Sequence, residues 1–154
     1  MTRKQIISWT SVLLWMGVIF LFSAQTATDS STLSSGITDW VFQLIINIIP
    51  TFSSDVLHLL IRKLAHFSIY FVLGLLVFNA LKSSTTKQKY NILFALLISF
   101  LYAITDEIHQ LFVPGRAGQA LDVIIDSFGA ITGIMAFIII ERYINKHKNK
   151  VKIQ

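Results

Sequence analysis

One stretch of the chain, Thr105 to Gly133, carries side chains that can transfer protons or bind ions, and it lies where two apolar segments meet. An ionisable side chain at membrane depth costs about 2.5 kcal/mol or more. A chain that keeps several of them together is therefore expected to use them. The ionisable residues of this stretch are Asp106, Glu107, His109, Arg116, Asp122 and Asp126.

A second polar group precedes this stretch on a predicted helix. Consecutive residues of an α-helix are about 100° apart, and four polar side chains fall within an arc of roughly that width: Arg62, Lys63, His66 and Tyr70. Snorkelling to the membrane interface would explain Arg62 and Lys63, but not the continuation to His66 and Tyr70. We therefore favour a stripe that faces a site.

The same geometry groups the polar residues of the two helices that follow. One face of the first helix combines Tyr102, Asp106, His109 and Gln110; one narrow face of the second combines Asp122, Asp126, Gly129 and Gly133. Glu107 should point well away from Asp106, and it stays open whether it joins the polar cluster or is a solvated or ion-paired carboxylate near the membrane surface. The glycines permit a neighbouring helix to approach closely.

These residue types fit acid–base chemistry or anion binding. Histidine transfers protons near neutral pH, and a neighbouring carboxylate can orient it. The candidate catalytic residues are His66, His109, Asp106 and Asp122. Arginine and lysine bind phosphate groups, and the candidate substrate-binding residues are Arg62, Lys63, Tyr70, Gln110, Arg116 and Asp126.

No general catalytic motif identifies the reaction. The chain has no cysteine, which excludes disulfides, thiolate nucleophiles and zinc–thiolate sites. It also lacks the His-Glu-x-x-His, Gly-x-Ser-x-Gly and phosphate-loop motifs. A hard-metal site of Asp106, His109, Asp122 and Asp126 is conceivable, but their spacing is not specific to a metal. We therefore predict no metal site and expect no cofactor.

The composition identifies the class of protein. Of 154 residues, 54% are hydrophobic and 14% are charged, whereas a soluble domain has about 25% charged residues. We predict one all-α domain over 1–154, an integral membrane bundle of about four transmembrane helices. The spans are roughly 6–22, 64–81, 90–105 and 120–140, followed by a basic tail at 141–154. The first could also be a signal peptide, but its long apolar run favours a retained anchor.

The basic residues orient these spans. Ten of the 13 fall on one side: Arg3, Lys4, Lys82, Lys87, Lys89, Arg142, Lys146, Lys148, Lys150 and Lys152. Because basic loops remain in the cytoplasm, both termini are predicted to be cytoplasmic. The polar faces should then line one outward-opening cavity between the second, third and fourth spans. The first span should add mainly apolar packing through Trp9, Leu13 and Phe20. The basic residues form no groove-facing patch, so nucleic-acid binding is not predicted.

The outer connection after the first span divides into two parts. Residues 25–36 are rich in Ser and Thr and are typical of an exposed linker. Apolar residues then recur at helical spacing from Ile37 to Ile48, and Pro50 ends the run. This pattern predicts a short amphipathic helix, which lies either at the membrane interface or against the bundle.

At this point the residues resemble the VanZ-like family. Three motifs carry the resemblance: Arg62-Lys63-x-x-His66-Phe67-x-x-Tyr70, Asp106-Glu107-x-His109-Gln110-x-Phe112-x-Pro114-Gly115-Arg116, and Asp122-x-x-x-Asp126-x-x-Gly129. Phe22-Ser23-x-Gln25 agrees as well, and Asp126 stands where the pattern often has asparagine. The resemblance implies a bacterial multi-pass protein of the cytoplasmic membrane, linked to the cell envelope. The family's name-giving member is associated with low-level teicoplanin resistance.

Three functions remain open from the sequence. The chain could be an enzyme acting on an anionic lipid-linked or cell-wall-related substrate at the outer leaflet. It could instead bind or shield a wall precursor or a glycopeptide without chemistry. It could also be a structural bundle whose ion pairs only fix helix packing. The expected partner is a membrane lipid or a lipid-linked precursor.

Overall fold

The fold is all-α, with helices and turns but no strand, in the part of the chain that the structure, a computed structural model, describes: residues 1–46, 53–84 and 87–151. Its five helices are α1 (Arg3–Ser23), α2 (Ala27–Ile46), α3 (Ser54–Ser84), α4 (Gln88–Gln110) and α5 (Ala120–Val151). Four of them, α1, α3, α4 and α5, are long and apolar enough to cross a membrane. The prediction of an all-α membrane bundle with one additional helix is therefore confirmed.

Two of the spanning helices are longer than a membrane requires. At 1.5 Å per residue, the 31 residues of α3 extend about 46 Å, compared with roughly 30 Å for a hydrocarbon core. The predicted basic tail continues α5 as a helix, and the side chains of residues 142–148 are exposed. Lys152, at the end of that tail, lies outside the described residues.

Helix α1 packs antiparallel to α3 through side-chain hydrogen bonds to main-chain carbonyls. Gln5 Nε2 donates to the carbonyl oxygen of Ser83 at 2.9 Å, and Trp15 Nε1 donates to that of Ile69 at 2.8 Å. The buried residues of α1 are Ser8, Val12, Ile19 and Ser23. The predicted packing role of Leu13 is wrong, because Leu13 lies off this face and is 67% exposed.

Glycines bring α3 and α5 into close contact. A Cβ atom built on Gly129 would lie 2.3 Å from the carbonyl oxygen of Phe67, and one on Gly133 would lie 2.1 Å from that of Phe71. Gly74, on α3, would meet the carbonyl oxygen of Ala130 at 2.4 Å. No side chain fits at these positions without displacing a helix, so the glycines set the distance between α3 and α5.

Helix α2 begins earlier than predicted. The interpretation of 25–36 as a linker is wrong, since helix starts at Ala27. Thr26 begins it: its hydroxyl accepts from the Asp29 main-chain N–H at 3.2 Å, which is helix N-capping. Hydroxyls of the Ser/Thr-rich run donate to carbonyls of their own helix, as Thr32 does to Asp29, so the run is compatible with a helix. Ile48 and Pro50 lie outside the described residues.

Candidate functional site

A buried ion pair joins α3 to the start of α5. The Lys63 ammonium group contacts Asp122 Oδ1, and it also donates to Gln119 Oε1 at 3.1 Å. The side chain of Asp122 is 1% exposed and that of Lys63 is 15% exposed. One of the predicted substrate-binding cations thus neutralises one of the predicted catalytic carboxylates.

A second contact between the same helices lies one turn deeper. His66 Nδ1 is 3.4 Å from Asp126 Oδ1, and Asp126 is fully buried. Helix α4 adds Glu107, whose carboxylate lies near both: one ligand atom from each of His66, Glu107 and Asp126 falls within 4.8 Å of the others. The sequence left open whether Glu107 lies near the membrane surface or in the cluster, and the structure buries it in the cluster, with 6% exposure. Helix α4 contacts both α3 and α5, so two of its faces are buried.

A cavity of about 260 Å³ opens beside this cluster. Its charged and polar lining residues are Ser23, Gln25, Ser30, Arg62, His66, Asp106, Gln110 and Arg116. Its apolar lining residues are Ile19, Phe22, Ile61, Ala65 and Ile69. Five of the ten candidate residues therefore share one cavity. They are Arg62 and His66 of α3, Asp106 and Gln110 of α4, and Arg116 of the turn before α5.

The other candidate residues lie elsewhere. Lys63, Asp122 and Asp126 form the contacts between α3 and α5. Tyr70 is fully buried in the apolar core. His109 stacks on Phe20 of α1, with ring centroids 4.5 Å apart. In place of the predicted single cavity between the second, third and fourth spans, the structure has two features. One is an ion-paired layer between α3 and α5; the other is a cavity lined from α1, α2, α3, α4 and the turn before α5.

Helices α1 and α2 contribute polar groups that were not predicted. Ser23, Gln25 and Ser30 line the cavity, although α1 was expected to provide mainly apolar packing. The signal in the sequence for Ser23 and Gln25 was Phe22-Ser23-x-Gln25, which belongs to the family resemblance but carries no charge. Helical periodicity does not find these two residues, because they lie at the end of α1 and in the turn that follows.

Arg116 joins the turn before α5 to the turn between α1 and α2 by hydrogen bonds. Its Nε donates to the carbonyl oxygen of Gln25 at 2.9 Å, and its Nη2 donates to that of Phe22 at 3.2 Å. Gly115 makes the turn possible with a φ of 75°, which favours glycine. Burial lowers the pKa of the Arg116 guanidinium from its usual value, and the positive charge of Arg62 lowers it further. Arg62 and Arg116 both line the cavity, so the cavity holds two neighbouring guanidinium groups.

Several buried polar atoms at this site have no hydrogen-bond partner among the described residues. Both amide atoms of Gln110, which is 1% exposed, are in this state. So are both carboxylate oxygens of Asp126, and Nδ1 of His66. Unpaired buried polar groups are costly, and such groups are frequent where a ligand or an ion completes the set of partners.

Comparison with known proteins gives the family. No curated protein and no solved structure matches the chain. The family model VanZ/LLP1 matches residues 8–141, which include all five helices in whole or in part and every candidate residue named above. The chain therefore belongs to the VanZ/LLP1 family.

Proposed function

We propose that this membrane protein binds the anionic headgroup of a lipid-linked or cell-wall-related molecule in the cavity between α1, α2, α3 and α4. The observation that carries the proposal is that Arg62 and Arg116 both line a cavity to which apolar side chains also contribute. Guanidinium groups bind phosphate and carboxylate oxygens by charge-assisted hydrogen bonds. An apolar wall beside them suits a lipid chain.

The burial of the two arginines supports an anion in preference to a cation. Arg62 forms no ion pair within the described ranges, and its buried Nε has no hydrogen-bond partner there. Among the residues that the structure describes, Asp106 is the single carboxylate on the cavity wall. The lining therefore carries an excess of positive charge, which a phosphate-type headgroup would neutralise.

The distribution of basic residues supports an extracytoplasmic cavity. Ten of the 13 lysines and arginines fall in the segments at the other end of the spans, and basic segments stay in the cytoplasm. In this orientation both termini are cytoplasmic. The cavity would then meet molecules of the outer leaflet, where lipid-linked wall precursors and glycopeptides such as teicoplanin are found together.

Removing Arg62 tests headgroup binding. We expect Arg62→Gln to lose anionic lipid that copurifies with the wild-type protein, measured by mass spectrometry of the extracted lipids, and to lose any teicoplanin phenotype that the wild-type gene confers. Arg3→Gln is the matched control, because Arg3 is exposed at the opposite end of the bundle. Retention of the same lipid and phenotype by Arg62→Gln would contradict the proposal. Arg116→Gln is less suitable, since Arg116 also fastens two turns.

Catalysis is a second candidate, and the contact between His66 and Asp126 favours it. A buried carboxylate that accepts a hydrogen bond from Nδ1 fixes the orientation of an imidazole and leaves Nε2 as the reactive nitrogen, and here the two atoms lie 3.4 Å apart. His66 also lines the cavity, where a bound substrate could exchange a proton with it. The reaction class that fits is proton transfer to or from a group on the bound headgroup.

A further inference from the structure

The group of buried ligand atoms between α3, α4 and α5 has the composition of a metal site. His66, Glu107 and Asp126 each offer one ligand atom, and these atoms lie within 4.8 Å of one another. All three residues are buried, with exposures of 8%, 6% and 0%. They come from three helices that pack on one another, so the fold itself holds the ligand atoms together.

The hydrogen bonding of this group points to a missing partner of positive charge. Asp126 Oδ1 and Oδ2, Glu107 Oε1 and His66 Nδ1 are buried and accept or donate no hydrogen bond in the described part of the chain. The other oxygen of Glu107, Oε2, accepts from the main-chain N–H of Gln119 at 2.8 Å, which fixes the carboxylate in place. No lysine or arginine within the described ranges pairs with Glu107 or Asp126.

Two of the nearby cations, Lys63 and Arg116, are already engaged, and Arg62 forms no ion pair with Glu107 or Asp126. Lys63 pairs with Asp122 and Gln119, and Arg116 donates to the carbonyls of Phe22 and Gln25. Within the described ranges, His66, with Nδ1 3.4 Å from Asp126 Oδ1, is the one basic side chain that contacts either buried carboxylate, and buried charges without a strong partner are disfavoured. A bound cation would satisfy all three residues at once.

We propose that His66, Glu107 and Asp126 bind a divalent transition-metal cation. The ligand set of one imidazole nitrogen and carboxylate oxygens suits Zn²⁺ or Mn²⁺ better than Mg²⁺, which keeps an oxygen-only and largely hydrated shell. Three protein ligands leave at least one coordination position open, as in catalytic metal sites. His66 belongs both to this cluster and to the cavity wall, so the cavity provides a route for the ion.

This site differs from the one that the sequence suggested. Asp106 lines the cavity, His109 stacks on Phe20, and Asp122 pairs with Lys63; only Asp126 is common to both sets. The proposal goes beyond headgroup binding and does not depend on it, because the ligand atoms belong to the packing of α3, α4 and α5.

Metal analysis of the purified full-length protein tests the proposal, with any affinity tag removed. After treatment with EDTA and dialysis, Zn²⁺, Mn²⁺ and Mg²⁺ are added separately, and thermal unfolding is followed by tryptophan fluorescence. We expect about one Zn²⁺ or Mn²⁺ per chain and a higher melting temperature with either ion. Glu107→Gln and Asp126→Asn should each weaken binding at least about tenfold. Glu141→Gln, at the other end of the bundle, should bind as the wild type does.

Two results would overturn the metal site. One is a wild-type protein whose metal content and melting temperature do not respond to Zn²⁺ or Mn²⁺. The other is equal binding by the wild type, Glu107→Gln and Asp126→Asn. Should these variants not fold, X-ray absorption at the zinc edge of the wild type decides: one histidine with oxygen ligands supports the site, and two or more histidines contradict it. No lipid is added, so failure here leaves the headgroup proposal untouched.

Discussion

His66 Nδ1 lies 3.4 Å from Asp126 Oδ1, and this contact joins the cavity wall to the buried layer between α3 and α5. One edge of the imidazole faces the carboxylate of Asp126, which is fully buried. His66 therefore belongs both to the cavity that would bind a headgroup and to the cluster that would bind an ion. Changes at His66 should separate binding from chemistry better than changes at either neighbour.

The first prediction concerns His66→Gln. Glutamine retains hydrogen-bonding atoms but cannot transfer a proton near neutral pH, which typically costs about 10²–10⁴-fold in rate when the group is a general acid or base. An enzyme should therefore lose its cellular phenotype while copurified anionic lipid, held by Arg62, persists. If His66→Gln keeps both the cellular phenotype and the copurified lipid, the protein is a simple binder. His147→Gln is the matched control, because His147 is exposed on the helical tail.

The second prediction concerns Lys63 and Asp122. Lys63→Met leaves Asp122 buried without its partner, which should lower the free energy of unfolding by about 3–5 kcal/mol. The double variant Lys63→Met/Asp122→Leu should recover most of this loss, because both charges are removed together. The measurement is thermal or denaturant unfolding in detergent.

An exposed pair at the other end of the bundle serves as the comparison. The side chains of Lys82 and Glu141 are 38% and 36% exposed, and exposed pairs contribute about 0–1 kcal/mol. Lys82→Met should therefore cost far less than Lys63→Met. Equal costs for the two variants would show that Asp122 does not depend on Lys63, and would contradict the packing described here.

The third prediction concerns the glycines between α3 and α5. Gly129→Ala and Gly133→Ala place a methyl group against a main-chain carbonyl, at 2.3 Å and 2.1 Å in the unshifted structure. The helices must move apart, which should cost about 1–3 kcal/mol in unfolding free energy and displace His66 from Asp126. Gly17→Ala is the control, since a Cβ there meets nothing within 4 Å. It should be neutral or stabilise α1 by roughly 0.5–1 kcal/mol. Similar stability of all three variants would refute the close approach.

The helices could be predicted from the sequence because apolar periodicity and length are local properties. The α3 stripe of Arg62, Lys63, His66 and Tyr70 was also correctly placed on one arc, yet the structure divides it. Arg62 and His66 line the cavity, Lys63 turns to Asp122, and Tyr70 enters the core. An arc of roughly 100° is wide enough to face two neighbouring helices. Periodicity does not say which residues of the arc face which of the two helices.

Glu107 and Ser23 show the other limit of the sequence. Glu107 lies about 100° from Asp106 on a helical wheel, which left open whether it faces the membrane surface or the cluster; the contacts of α4 with both α3 and α5 bury it. Ser23 lines the cavity because α1 runs antiparallel to α3 and ends beside Arg62. Both positions depend on which helices are neighbours in space. A single sequence gives the order of the helices along the chain, but it does not say which of them pack against one another.

The last prediction concerns the orientation of the bundle in the membrane. Ser31 lies on α2 beside the cavity residue Ser30, and Ser84 ends α3 at the opposite end; both are exposed. The chain has no cysteine, so Ser31→Cys and Ser84→Cys each introduce a unique thiol. A membrane-impermeant maleimide should label position 31 in intact cells and position 84 only after permeabilisation, because the basic segments near Ser84 are retained in the cytoplasm. The reverse pattern would place the cavity on the cytoplasmic side. A precursor of the outer leaflet could then not reach Arg62, and the proposed substrate class would have to be abandoned even if an anion binds.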